Sequence, residues 1–369
     1  MTDAPAGGFW DGCGPGFRVM ITEVRATPPP RITAFRTPGL EGHLKTVTLT
    51  GATGFIGSHL ARALIGRSAA LHLYVRRSTP EVRDLRQRGA AVHIDTGGGA
   101  GGLRRALEKA DAVIHCAAAT KALDRRSFFD ANVALTERIL SRLERHQTFL
   151  LISSQAAAGP SPGRIPVDET MPPSPVNDYG WSKHLAERRT RAWGQDNNLN
   201  FLVLRPSAVY GPGERDFYRL FRSIQRGVAL LPGDGRQRLS LLHVDDLVRA
   251  VLAAVERGRK GETYFVTGEE SASWLELALL IRTALSKDRV LTLRGAAPLV
   301  LPAAFVSDAL SRMTGKPGLL CRDKVAEMRQ EAWLCSNRRI KEHLAWSPRV
   351  SLKEGIERTA AWYVKQGWI

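Results

Sequence analysis

Cysteine is scarce in this 369-residue chain, and its four copies follow no pattern. Cys13, Cys116, Cys321 and Cys335 form no CxxC pair and no regular spacing. That argues against a disulfide framework or a structural zinc site and predicts reduced thiols in a cytoplasmic protein. A chain this long buries enough apolar surface to fold without such staples. Long apolar runs are also missing. No stretch reaches the roughly 18 residues a spanning helix needs. The longest candidate, 296–306, is short and holds two prolines. The N-terminus shows no apolar signal-peptide core, so neither a membrane span nor secretion is expected. Acidic residues are outnumbered, 36 against 53 Lys and Arg, which leaves a net charge of +17. Such an excess would suit nucleic acid, an anionic membrane or a phosphate-rich ligand. Yet the basic residues are spread along the chain without a zinc-finger, helix-turn-helix or RNP pattern. Arginine as a solvated surface cation, with no specific nucleic-acid partner, is therefore the expectation. No metal site and no internal repeat is read from the sequence.

What is present changes character along the chain. Residues 1 to about 44 are rich in Gly and Pro (Gly14-Pro15-Gly16, Pro28-Pro29-Pro30) and lack periodicity. They predict either a disordered N-terminal extension or a true start downstream near Leu44. Order begins at Thr46. Thr46 to Thr50 reads as a strand, and a helix follows from Phe55 with Ile56, Leu60 and Leu64 on one face, ended by Gly66. Apolar strands follow at Leu71–Val75, Ala112–Cys116, Phe149–Ile152 and Phe201–Leu204, with helices between them at Leu103–Ala110 and Asn132–Arg145. Strand-helix alternation of this kind predicts an α/β fold, a Rossmann-type doubly wound parallel sheet. A dinucleotide-binding domain is expected over 45–205, its core also taking in about 240–262. A smaller, mainly helical substrate lobe is expected over 206–369, with 263–369 its most helical part. The segment 296–313 reads as an amphipathic packing helix, with a substrate lid as the alternative.

The first strand runs into Thr50-Gly51-Ala52-Thr53-Gly54-Phe55-Ile56-Gly57. One glycine permits a tight turn, one lets the backbone approach a pyrophosphate, and one lets helix and strand pack closely. The helix N-terminus then offers unpaired N–H groups to phosphates. At the end of the second strand stand Arg76 and Arg77 where an acidic residue would bond the ribose 2′-hydroxyl of NAD. Two arginines suit a 2′-phosphate, so NADP is expected, with NAD as the alternative. Asp95, after the third strand, is a candidate partner for the adenine amine.

Tyr179 and Lys183 lie four apart, on one face of a helix capped by Asn177 or Asp178. An ammonium beside a phenol favours the phenolate. Tyr179 is then placed to exchange a proton with a substrate oxygen while hydride moves to or from the cofactor. Lys183 would also hydrogen-bond the nicotinamide ribose. Ser153 and Ser154 end an apolar strand, where a hydroxyl can point into the ligand crevice and stabilise developing charge.

Taken together these residues resemble the extended short-chain dehydrogenase/reductase family, also called the NAD-dependent epimerase/dehydratase family. The resemblance runs from about Lys45 to the C-terminus. It is carried by Thr50–Gly57, His115-Cys116-Ala117-Ala118, Asn132-Val133, Ile152-Ser153-Ser154, Tyr179–Lys183, Leu204-Arg205-Pro206 with Val209-Tyr210-Gly211-Pro212-Gly213, Leu242–Asp246, Leu344-Ala345-Trp346 and Trp362-Tyr363. It implies a catalytic triad of Ser154, Tyr179 and Lys183, Ser154 being preferred because Gly159 follows it. It also implies that Ala117 and Ala118 line the cofactor, that Pro206 and Val209 lie near the nicotinamide, and that Asn132 supports the site. His243 to Asp246 reads as structural. One departure stands out. Sugar-nucleotide epimerases of the family carry an Arg-Asp-aromatic element before the His-Val-Asp segment, and its arginine binds the substrate diphosphate. Here the stretch is Arg238-Leu239-Ser240-Leu241-Leu242, with the arginine one residue further out.

The expected function is therefore hydride transfer between a nicotinamide and a secondary alcohol or ketone, in a reductase or dehydrogenase acting on a medium-sized, partly apolar small molecule. The alternatives are a nucleotide-sugar epimerase or dehydratase, and a non-catalytic NADP-binding sensor or assembly subunit. A homodimer is compatible with this reading.

Overall fold

The computed structural model describes residues 44–95, 100–293 and 322–369. The expectations for the N-terminal extension and for 296–313 thus lie outside the described residues.

Short runs of apolar residues form the main strands. β1 (Leu44–Thr50), β2 (Ser68–Val75), β3 (Ala91–Ile94), β4 (Ala112–His115), β5 (Thr148–Ile152), β6 (Asn200–Pro206) and β10 (Thr263–Val266) make one seven-stranded sheet in the order β10-β6-β5-β4-β1-β2-β3. Every pairing in it is parallel. The chain steps outward from β1 to β3, then restarts at β4 on the other side of β1. The crevice beyond the carboxyl ends of β1 and β4 is therefore the switch point where such sheets bind ligands.

Both faces of the sheet are covered, and alternation assigns each side chain to a face. Val47, Leu49, Ile114, Leu150, Ile152, Leu202 and Leu204 pack with α1 (Phe55–Leu64) and the helix Val244–Arg257. Val113, Phe149, Leu151, Phe201 and Val203 face Leu103, Ile139 and Ala186 on the opposite side. Most of these side chains are fully buried, each stabilising the fold by about 1.5–3 kcal/mol. The helix expected over 132–145 begins earlier, at Arg125, passes through a π-helical turn at Asp130–Ala134, and ends at Leu140.

The C-terminal part of the chain interleaves with this domain. Thr263–Val266, placed by the sequence reading in the lobe, is the edge strand of the main sheet beside β6. A four-residue buried run has too little periodicity to reveal its neighbour. Ile340 and Leu344, far along the chain, also belong to the core around α1. The lobe proper carries small sheets as well as helices. β7 (Ala208–Tyr210), β9 (Arg238–His243), β11 (Ser271–Ser273) and β13 (Ala332–Trp333) form one, and β8 (Val228–Leu230) pairs β12 (Leu291–Leu293). Its own apolar cluster joins Phe221, Leu239, Leu241, Leu277, Trp333, Ile356 and Tyr363.

Candidate active site

The glycine-rich turn closes β1 onto α1. Gly51 has φ +78°, and a Cβ there would stand 2.6 Å from the Ala117 backbone nitrogen. A Cβ on Gly57 would stand 2.0 Å from the Gly51 carbonyl oxygen, so helix and turn meet at a distance only glycine allows. Gly54 occupies the N-cap, and no side chain caps the helix. Its first-turn N–H groups face the crevice, beside exposed Thr53 and half-buried Phe55 and Ile56. Ala117 and Ala118 leave β4 at the same crevice, the first half-buried and the second exposed. Pro206 ends β6, and Val209 lies in β7 opposite Leu242.

Arg76 and Arg77 are both exposed just past β2. Asp95 sits across from them, its amide bonded to the Val75 carbonyl (2.8 Å) and its carboxylate 3.9 Å from Arg138. Burial and the Asp95 carboxylate push the Tyr74 phenol up to about 12.

The catalytic pair expected from sequence lies on α6 (Asp178–Asp196; the helices between α1 and it are α2 Pro80–Gln87, α3 Ala100–Leu107, α4 Arg125–Phe129 and α5 Leu135–Leu140). Asn177 is its N-cap, accepting the Gly180 N–H at 2.8 Å. Lys183 is 2% exposed and donates to the Ile152 carbonyl at 2.6 Å. Burial lowers its ammonium to about 8. Burial raises the Tyr179 phenol, and a hydrogen bond with Ser154 partly offsets that rise. The two adjacent serines diverge because successive strand residues face opposite ways. Ser154 turns to Tyr179, whereas the Ser153 hydroxyl donates to the Glu187 carboxylate. Glu187 in turn holds Arg205 through two oxygens, at 2.7 and 3.0 Å, with both side chains almost wholly buried. This ion pair ties α6 to β6, and Ser153 adds β5.

A second polar chain holds the other flank. Asn132, in the π-helical turn, accepts the Ala119 N–H (2.7 Å) and donates to the Ser182 hydroxyl (2.8 Å). The loop after β4 is thereby locked to α6. Burial pushes His115 down to about 3, so it is neutral. Ala117 donates to the Thr50 hydroxyl, which donates to His115 Nδ1 (2.7 Å), and His115 Nε2 donates to Thr136 (3.0 Å). The network assigns this tautomer.

The lobe flanks the site with Arg238 and Leu239, the pair noted in the sequence, and with Lys324 and Glu327, which no sequence signal marks. Tyr179 packs against the lobe's apolar cluster and against Phe128. Leu239, 6% exposed, belongs to that cluster. Arg238, its neighbour in β9, points the other way and bonds the Ser271 carbonyl (2.9 Å) and the Glu276 carboxylate (3.3 Å). On the helix Arg322–Met328, Lys324 pairs with Glu327 at 2.7 Å, and the other Glu327 oxygen takes an N–H of Asn177 at 2.7 Å. Both charges act on the Tyr179 phenol. No local period marks these lobe residues, since their partners are remote in sequence. His243, read as structural, is buried and accepts the Asp245 N–H at 3.2 Å. Asp246 accepts the Arg349 and Val350 N–H groups. Among the described residues no group of three His, Cys, Asp or Glu could hold a metal, and no helix is long and apolar enough to cross a membrane.

A family model described as the NAD dependent epimerase/dehydratase family matches residues 47–267. A ceramide reductase of Caulobacter vibrioides (strain NA1000 / CB15N) is 28% identical over 333 residues, covering 88% of this chain and 96% of the relative. A dTDP-4-dehydro-6-deoxy-D-allose reductase of a Streptomyces species is 28% identical over 344 residues, covering 86% and 96%. Among solved structures, the UDP-glucuronic acid 4-epimerase of Bacillus cereus, in complex with UDP-glucuronic acid and NAD, superposes with a TM-score of 0.69. It is 24% identical and covers 87% of this chain and 99% of its own.

Proposed function

The chain belongs to the NAD-dependent epimerase/dehydratase family, and on that premise we propose that it is an NADP-dependent reductase of a ketone carried on a largely apolar small molecule. The observation that carries this reading is the orientation of β9. In a strand, a shift of one residue moves a side chain to the opposite face. Leu239 belongs to the buried apolar cluster against which Tyr179 packs, while Arg238 is committed to Ser271 and Glu276. A diphosphate-binding arginine is thus replaced by an apolar wall, which disfavours a nucleotide sugar. Two relatives of similar sequence are reductases by name.

The turn fits a dinucleotide, because the space that a Cβ on Gly51 or Gly57 would fill is backbone contact. Gly51, Thr53, Gly54, Phe55, Ile56 and Gly57 would hold the pyrophosphate on the α1 N-terminus. Arg76 and Arg77 would take a 2′-phosphate, Asp95 would face the adenine, and Ala117, Ala118, Pro206 and Val209 would border the nicotinamide. When bound, the nicotinamide supplies the hydride. Tyr179 donates its proton to the ketone oxygen, and burial, by holding the phenol protonated, suits that direction. Ser154 hydrogen-bonds the same oxygen. Lys183 anchors the ribose and steadies the charge left on the phenol.

The test is oxidation of NADPH and NADH, followed at 340 nm, against a panel of alkyl ketones and UDP-sugars. NADPH turnover with ketones is expected, with a KM for NADH at least about tenfold higher, since each lost charge-assisted bond costs about 1.5–3 kcal/mol. Tyr179→Phe should lower kcat by about 10²–10⁴. Interconversion of UDP-sugars without net NADPH use would overturn the reading in favour of an epimerase. Equal cellular function of Tyr179→Phe and wild type would favour a binding role.

A further inference from the structure

The proposed reaction uses Ser154, Tyr179 and Lys183, and leaves Lys324 without a role. Lys324 reaches the site from the lobe, on the helix Arg322–Met328. A relay of side chains sets its position. Asn177, the N-cap two residues before Tyr179, donates to one oxygen of Glu327, and Lys324 donates to the other, both at 2.7 Å. The helix carrying Glu327 is itself held down, since Gln237 and the Trp333 indole both donate to the Glu327 carbonyl, at 2.8 and 3.1 Å. Lys324 thus stands beside the phenol on a braced support. An ammonium has three N–H donors. Only the one given to Glu327 has an acceptor among the described residues. The neighbouring carboxylate, Asp216, is held by Lys121. Lys324 is half-buried, its side chain 35% exposed, and Glu327, Asp216 and the Tyr179 oxygen favour its protonated form.

Resting on the ketone-reductase reading, we infer that Lys324 is a specificity-determining residue, hydrogen-bonding a hydroxyl on the substrate carbon beside the ketone. The physical reason is the pairing of charges. Lys324 is paired with Glu327, and Asp216 with Lys121 and, at 3.8 Å, Arg219, so each of these carboxylates already has a cation. A substrate anion would meet Glu327 and Asp216, and a substrate cation would meet Lys324 and Lys121. A hydroxyl offends neither, since its oxygen accepts from the spare N–H groups of Lys324 and its proton can go to a carboxylate lone pair. The rest of the wall, Leu239, Trp333 and Phe128, offers an alkyl chain an apolar surface. The substrate class is a hydroxyketone with an apolar tail.

The test compares 1-hydroxydodecan-2-one with dodecan-2-one, using the full-length protein and NADPH. Wild type should favour the hydroxyketone in kcat/KM by about tenfold or more, because only the hydroxyketone offers the ammonium an acceptor for a charge-assisted hydrogen bond. Lys324→Met should bring the ratio close to one, mainly through the KM for the hydroxyketone, with the KM for NADPH unchanged. Lys324→Arg should restore part of it. A wild-type ratio near one, or a ratio that Lys324→Met leaves unaltered, overturns the inference while the ketone-reductase reading stands. Calorimetry of dodecane-1,2-diol and dodecan-2-ol binding to the NADP+-loaded protein separates the two ideas. If neither ketone consumes NADPH but the diol binds at least about tenfold tighter than the mono-ol in a Lys324-dependent way, the inference holds and the reductase reading fails. Equal binding of diol and mono-ol overturns the inference on its own.

Discussion

Replacing Glu187 by alanine should destabilise the protein far more than replacing Glu187 and Arg205 together by methionine. Glu187 lies one turn beyond Lys183 on α6, and its side chain is 3% exposed against 6% for Arg205. Arg205 gives it contacts at 2.7, 3.0 and 3.3 Å, and also lies over the Phe265 ring, 5.4 Å from its centroid. Glu187→Ala strips the acceptor and leaves a guanidinium buried without its counter-charge, a loss of about 3–5 kcal/mol. The Ser153 hydroxyl also loses its acceptor. For a domain of this size each kcal/mol moves Tm by roughly 2–4 °C, so a fall of roughly 6–20 °C is expected. In the double methionine variant no charge remains to be solvated and the volume is largely kept. Its deficit should be limited to about 1–3 kcal/mol for the orphaned Ser153 hydroxyl. Thermal unfolding by circular dichroism, supported by urea titration, of the wild type, Glu187→Met, Arg205→Met and the double methionine variant gives the coupling energy, with Glu187→Ala measured beside them. A Glu187→Ala shift below about 2 °C, or a double variant as unstable as the sum of the singles, would refute the reasoning. Because the pair ties α6 to β6, the single variant should also lose activity before it unfolds.

Two further outcomes follow from the site. Gly57→Ala places a Cβ 2.0 Å from the Gly51 carbonyl oxygen, so turn and helix must separate; NADPH affinity, read by fluorescence titration, should fall about a hundredfold, while an unchanged Kd would contradict the packing argument. Burial lowers Lys183 from its ordinary value of 10.5 to about 8. Between these values the unfolded chain binds the proton that the folded chain has released, so this residue's destabilising contribution is full below about 8 and fades as pH rises towards about 10.5. Wild type should therefore gain stability relative to Lys183→Met as pH goes from 8 to 10, by up to about 3 kcal/mol. A stability difference that stays flat across that interval would show that the ammonium is not desolvated.

Much of this architecture is legible without coordinates, and the reasons are local. The helix at Phe55–Leu64 and the strands before it follow from periodicity and from glycine punctuation. The helix expected over 132–145 was placed too far along the chain, because its first turns, Arg125 to Phe129, precede the apolar stripe and are held by the Asp124 cap instead. The sequence pattern groups Thr263–Val266 with the lobe, because its partner β6 lies some sixty residues away along the chain.

The functional residues divide along the same line. Glycine at 51 and 57, and an i,i+4 Tyr179 and Lys183, specify a phosphate turn and a shared helix face in almost any surroundings, because they act through backbone geometry within a few residues. Which of two adjacent serines meets the phenol depends on what covers each face of β5. The position of Arg238 matters only once β9 is placed between β7 and β11. Lys324 joins Tyr179 through Asn177 and Glu327, residues separated by 150 positions. No local period encodes contacts of that range. They exist because burial of the lobe's apolar cluster brings the helix Arg322–Met328 onto the N-terminus of α6, and that packing is a property of the folded chain alone.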